Sequence, residues 1–175
     1  RAVATDGHRL ARIEAPLPDG AENMPGVIVP RKTVGELRKL IDETGEAVDI
    51  ALSDTKIRFG FGKAVLTSKL IDGTFPDYER VIPAGNDKSL DLDCKPFADA
   101  VDRVSAISIE KSRAVKVVIS GNTLTLSASS PEHGTASEEL EINYDSDDIE
   151  IGFNSRYLLD IAKQVKGDTL NLLMS

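Results

Sequence analysis

Apolar residues recur along this chain with two different periods, and the switches between those periods lay out its elements. Ala2 to Ile13 alternates loosely and predicts a strand with an embedded turn at Asp6-Gly7. Pro16 to Pro25, rich in Pro, Gly, Asn and Asp, predicts a loop. Val27 to Val29 predicts a short strand ended by Pro30. From Lys32 to Asp42 the period changes: Val34, Leu37, Leu40 and Ile41 form the stripe of an amphipathic helix, and Gly45 stands where its stop belongs. Period-two runs follow at Val48 to Leu52, Lys56 to Phe61 and Ala64 to Leu70, each a plausible antiparallel strand. Asp72-Gly73 marks a turn, and Phe75 to Pro83 reads as an extended segment bracketed by proline.

The second half repeats the theme. Phe97, Ala100, Val101, Val104 and Ile107 share one helical face over Pro96 to Ile107, with Pro96 suited to the first turn. Strands are predicted at Val115 to Ile119, Thr123 to Ala128, Glu138 to Tyr144 and Ile149 to Phe153. Asn154 is a good N-cap for a helix with Leu158, Ile161, Ala162 and Val165 inward, ended by Gly167, before a strand from Leu170 to Met174. Strand–Pro30–helix–Gly45–strand is thus answered by strand–Asn154–helix–Gly167–strand, about one domain length later. Such an echo fits tandem copies of one unit, although two amphipathic helices also match by chance.

Composition narrows the class. The 175 residues are 41% hydrophobic and 29% charged, as in an ordinary globular protein with one large domain or one and a half smaller ones. No apolar run approaches the roughly 18 to 20 residues of a membrane span, and no secretory leader is read, so the expectation is a soluble, cytoplasmic protein without membrane partners. Both ends fall inside strand patterns, at Arg1 and at Met174-Ser175, and read as cut. A lone Cys94 excludes an internal disulfide and fits a reducing cytosol. With only His8 and His133 beside it, neither a metal site nor a cofactor is expected. The net charge of −8 argues against nucleic-acid binding by the whole surface, but leaves room for a local basic face.

Three groups of residues carry candidate chemistry. Thr5-Asp6-Gly7-His8-Arg9-Leu10 is either a bulged strand, with Gly7 supplying unusual backbone angles, or a place where Gly7 admits a ligand's backbone beside His8, Arg9 and apolar Leu10. On a strand Asp6 and His8 would share a face, so a small hydrolase or transferase using them as an acid–base pair is a competing reading, although nothing nucleophilic accompanies them. Cations gather on the helices: Arg31, Lys32, Arg38 and Lys39 on the first, Lys95 and Arg103 on the second, and Arg156, Lys163 and Lys166 on the third. They are either solvated surface or a face for phosphates. Glu138, Glu139, Glu141, Asp145, Asp147 and Asp148 form an acidic strand and turn. A β-strand adhesion module, binding no short peptide, is a further competitor.

Ala4 to Ala11 and Thr74 to Pro83 resemble, nearly letter for letter, the bacterial sliding clamps, the beta subunits of DNA polymerase III, and the resemblance runs over essentially the whole chain. It implies an α+β DNA clamp fold of tandem domains, each with two helices on antiparallel sheets. Residues 1–83 would be the C-terminal part of the middle domain, 84–87 a linker, and 88–175 the third domain without its last strands. It implies a ring that encircles double-stranded DNA without reading its sequence and has no catalytic site of its own. Partners would be the DNA polymerase III catalytic subunit, the clamp loader, other proteins with a clamp motif, and a second copy in a homodimer of the full-length protein. Thr5, Gly7, His8, Arg9, Leu10, Pro76, Arg80, Val81, Asn154 and Tyr157 match the family's partner-peptide pocket. Ser112 falls where some clamps carry a pocket-edge Phe. Arg31 and Lys32 match DNA-proximal positions, with Arg38, Lys39, Arg103, Arg156 and Lys163 added from their helix faces. Ile107 corresponds to an apolar contact between subunits.

Overall fold

The structure, a computed structural model, describes residues 1–44, 47–108 and 113–175. The chain divides into two compact units, one of Arg1–Ala4 with Leu10–Ile82 and one of Thr5–Arg9 with Pro83–Ser175. The architecture is α+β, with antiparallel pairing in the registered sheets of both units.

In the first unit, β1 (Ala2–Thr5) pairs with β2 (Leu10–Ile13), and the tip between them, Thr5–Arg9, groups with the second unit. Helix α1 (Arg31–Thr44) lies against a meander of β3 (Asp49–Leu52), β4 (Lys56–Phe61) and β5 (Ala64–Lys69). Strand β4 is central, so its alternate residues Ile57, Phe59 and Phe61 are buried, and Leu37, Leu40, Val29 and Leu66 pack around them. The buried stripe of α1 starts at Thr33, whose hydroxyl lies 2.7 Å from that of Ser68, and continues through Leu37 and Leu40. Val34, expected inward, is 52% exposed, because the stripe set by Thr33, Leu37 and Leu40 leaves it on the flank. The predicted helix stop at Gly45 lies outside the described residues.

Two local expectations are corrected. Val27 to Val29 is not a strand: among the described residues it makes one backbone bond, Ile71 N–H to the Ile28 carbonyl, rather than a ladder, while Val29 still packs inward. Residues 75–83 are not extended throughout. A 3-10 turn covers Tyr78–Val81, with Phe75 edge-on to Tyr78, and the Arg1 guanidinium donates to Tyr78 Oη at 2.7 Å and Glu79 Oε1 at 2.9 Å.

The second unit opens on a strand that the sequence reading omitted, β6 (Lys88–Asp93), followed by α2 (Cys94–Ser105). Then come β7 (Ala114–Ser120), β8 (Thr123–Ser130), β9 (Gly134–Glu141), β10 (Ile149–Asn154), α3 (Ser155–Ala162) and β11 (Thr169–Met174). One sheet runs β10-β7-β8-β9, and β11 pairs with β6. Phe97, Ala100, Val101 and Val104 put the inner face of α2 onto Val115, Val117, Leu124 and Leu126 of the central strands. Helix α3 stops at Ala162, well before Gly167, and the chain then tightens through Gln164 N–H to Ile161 O and Val165 N–H to Ala162 O. Ile161, expected inward, is 47% exposed.

Candidate functional site

The Thr5–Arg9 tip is built almost entirely by its own side chains. Thr5 Oγ1 donates to the Arg9 carbonyl at 2.8 Å and accepts from Gly7 N–H at 3.2 Å. Asp6 Oδ1 accepts from the backbone N–H groups of His8 and Arg9, each at 3.1 Å, and Oδ2 accepts from Arg9 Nε at 3.1 Å. Short polar side chains that bond to the backbone two and three residues on are what let so tight a loop satisfy its donors. Gly7 has φ +85°, a region that L side chains rarely adopt, and open space where a Cβ would stand.

The same loop is tied to α3, within the second unit. Asn154 caps that helix by accepting from Arg156 N–H at 3.0 Å, which sets where Tyr157 and Asp160 project. Arg9 Nη1 donates to Asp160 Oδ2 at 2.8 Å, and its guanidinium carbon lies 4.5 Å from the centre of the Tyr157 ring. The His8 ring is stacked on Tyr157 at 6.3 Å and 25°. A planar cation and an imidazole therefore lie against one aromatic ring, whose negative face attracts the guanidinium. Thr5, Gly7, His8, Arg9, Asn154 and Tyr157 all fall in this unit. Leu10, Pro76, Arg80 and Val81 fall in the first, where Leu10 is half-buried, Arg80 Nε pairs with Asp77 Oδ2 at 2.7 Å, and Val81 is 69% exposed.

Electrostatics follow from these bonds. The His8 and Arg9 amides hold the Asp6 carboxyl below its ordinary value of 3.8, and the Arg9 hydrogen bond does the same for Asp160. Asp160 and Asp6 in turn push the Arg9 guanidinium up. Because both carboxylates are depressed, their anchoring is fully present above the unfolded value and is lost only as pH falls through the lower folded one. A carbon-13 titration of the two carboxyl groups should be flat from about pH 8 down to about pH 5, with midpoints under 3.8. Midpoints at or above that value would contradict the bonding described.

This bonding also removes the acid–base reading of Asp6 and His8. The pair lies in a turn rather than on a strand, and both Asp6 oxygens are occupied by backbone amides and Arg9, while the imidazole rests on Tyr157.

The cations divide into paired and unpaired. Arg31, Lys32, Arg38 and Lys39 are exposed on α1, with Arg31 and Arg38, and likewise Lys32 and Lys39, one heptad apart on a common face. Lys39 is bonded to Glu36 at 3.1 Å. Arg103 is committed to a forked pair with Glu138 of the acidic strand, Nε to Oε2 at 3.0 Å. Arg156 on α3 and Lys163 at its C-cap are exposed and make no close ion pair among the described residues. Ile107 lies beyond the end of α2, half-buried against the core of the second unit. Ser112 lies outside the described residues. Among the described residues no group of His, Cys, Asp and Glu is placed to hold a metal, and no helix is long and apolar enough to cross a membrane. Cys94 is buried, its Sγ directed at the Ala162 carbonyl.

A family model described as DNA polymerase III beta subunit, C-terminal domain, matches residues 79–175, and one described as DNA polymerase III beta subunit, central domain, matches residues 1–77. The chain belongs to the DNA polymerase III beta subunit family. The beta sliding clamp of Caulobacter vibrioides is 58% identical over 167 residues, covering 95% of this chain and 45% of that protein. The beta sliding clamp of Escherichia coli K12 is 38% identical over 177 residues, covering 100% of this chain and 48% of that protein. The crystal structure of the Bartonella birtlesii sliding clamp bound to griselimycin superposes with a TM-score of 0.94 at 54% identity, covering 99% of this chain and 47% of that one. The fold is therefore that of the sliding clamps, and the chain spans just under half the length of these beta subunits. Within this beta-subunit chain, Asp160 is the site residue absent from the sequence reading. Its one signal was its place a single helical turn after Tyr157.

Proposed function

We propose that this chain is part of a sliding clamp: a ring, homodimeric in the full-length cytoplasmic protein, that encircles double-stranded DNA and tethers polymerase for processive synthesis without bond chemistry of its own. The observation that carries the reading is the Arg9–Tyr157–His8 platform, anchored by Asp6 and Asp160. An aromatic face beside a planar cation suits a short extended peptide, burying its apolar anchors while directing its backbone. Thr5, Gly7, His8, Arg9, Asn154 and Tyr157 are assigned to this pocket, as by resemblance are Leu10, Pro76, Arg80 and Val81. The clients are the polymerase catalytic subunit, the clamp loader and other proteins with a clamp motif.

Arg31, Lys32, Arg38, Lys39, Arg156 and Lys163 are assigned to phosphate contact, which is sequence-neutral and salt-dependent. Arg103 is a weaker candidate because Glu138 already occupies it. Ile107 is assigned to the contact between subunits.

Fluorescence polarisation of a short peptide with a Gln-plus-Leu/Phe clamp motif, titrated with the full-length protein, tests the reading. Saturable binding is expected, weakened roughly threefold to tenfold in His8→Ala and in Arg80→Ala. A peptide that does not bind, or that binds both variants as tightly as wild type, would overturn the pocket assignment.

A further inference from the structure

One residue of α3 faces two ways. Taking 100° per residue, Asp160 lies between Tyr157 on one side and the Arg156–Lys163 stripe on the other, being one turn from each of the three. On the first side it accepts from Arg9 at 2.8 Å, the guanidinium carbon lying 4.5 Å from the centre of the Tyr157 ring. On the second it lines, with Asp102, Arg113, Arg156 and Lys163, a polar concavity of about 350 Å³ at the junction of α2 and α3, where three cations outnumber the two carboxylates. Its carboxyl is held down first by the Arg9 hydrogen bond, against partial burial, and then by the fields of Arg9, Arg156 and Lys163. The side chain remains 39% accessible, so both cationic neighbourhoods feel one solvated charge.

We propose that Asp160 is a positioning residue with opposite effects on the two ligands: it secures Arg9 and Tyr157 for the partner peptide, and it offsets the α3 cations toward a polyanion. The proposal rests on the peptide and DNA assignments above. Its physical content is a difference of sign. Removing the charge leaves Arg9 held by Asp6 alone, which costs peptide affinity, and at the same time strengthens the positive potential at Arg156 and Lys163. A residue that merely held the fold together would move both affinities downward.

The test uses the full-length protein and two probes, the fluorescent clamp-motif peptide and a short duplex DNA at low salt. In Asp160→Asn, which keeps size and an acceptor oxygen, peptide affinity is expected to fall about fivefold to tenfold while duplex affinity rises about twofold to fourfold. Both differences should shrink as salt is raised. Asp160→Glu, which retains the charge, should return duplex affinity to the wild-type level. A parallel loss of both affinities, or no change in either one, would overturn the proposal. Wild-type protein that fails to bind the peptide at all would instead refute the pocket reading on which it depends.

Discussion

Replacing Tyr157 by Ala is expected to lower affinity for a clamp-motif peptide by about thirtyfold or more, the range of a central aromatic anchor. The reason is that three things fail together. In the proposed pocket the ring is itself an apolar surface for the peptide. It is also the seat of the Arg9 guanidinium, 4.5 Å from its centre, and the partner of the His8 ring at 6.3 Å. Without it, Asp160 and Asp6 still hold Arg9 at one end, but nothing fixes the plane of the guanidinium. Tyr157→Phe separates ring from hydroxyl. The hydroxyl makes no hydrogen bond among the described residues, so this variant should bind within about threefold of wild type. Polarisation titration reads both, with circular dichroism to show that α3 is intact. Wild-type affinity in Tyr157→Ala would mean that the peptide is gripped elsewhere.

How much of this site the sequence discloses depends on how far apart the bonded residues lie. The Thr5–Arg9 loop is local: Thr, Asp and Gly in succession carry the side-chain-to-backbone bonds and the positive φ that shape it, so a turn there was legible. The residue that locks the loop is not local. Asp160 stands 151 positions from Arg9, and beyond its place one turn after Tyr157 nothing in a helix of mixed charge distinguishes that carboxylate from a solvated one. Reading Asp6 and His8 as strand neighbours failed for a related reason, since a side chain that bonds to the backbone curls the chain and destroys the period of two.

The same distinction runs through the fold. Strand β4 and helix α2 were legible because burial on one side imposes their period, as the buried Ile57, Phe59 and Phe61 and the stripe from Phe97 to Val104 show. Strand β6 has as clear an alternation, with Leu90 and Leu92 buried between polar residues, and its period-two signal was there to be read. Val27 to Val29 gave a false strand because three apolar residues between Gly26 and Pro30 are too few to carry a ladder. Residues 78–81 gave a false extension because the flanking prolines restrict only their neighbours, leaving Tyr78 to Val81 free to coil. Helix α3 read too long because its final turn tightens, so that Val165 still faces inward after the regular helix has ended.

The second unit should be sensitive to a single truncation at its centre. Leu124→Ala is expected to cost about 3 to 5 kcal/mol, the range for a fully enclosed leucine whose surroundings close only partly over the space left. Leu124 is 0% exposed on β8, opposite Ile119 of β7 and Leu140 of β9, under the inner face of α2. Because β8 is flanked by a strand on each side, neither neighbour can shift inward without breaking its own ladder, which keeps the cavity open and the cost high. Amide exchange of β7 to β9 in the full-length protein reads this unit directly. Protection there should fall by about two to four orders of magnitude where exchange is governed by unfolding of the unit. A loss under about 1.5 kcal/mol in Leu124→Ala, equal to that of a mere change in side-chain shape, would mean that the sheet and α2 repack around the gap and that the core is far softer than its burial implies.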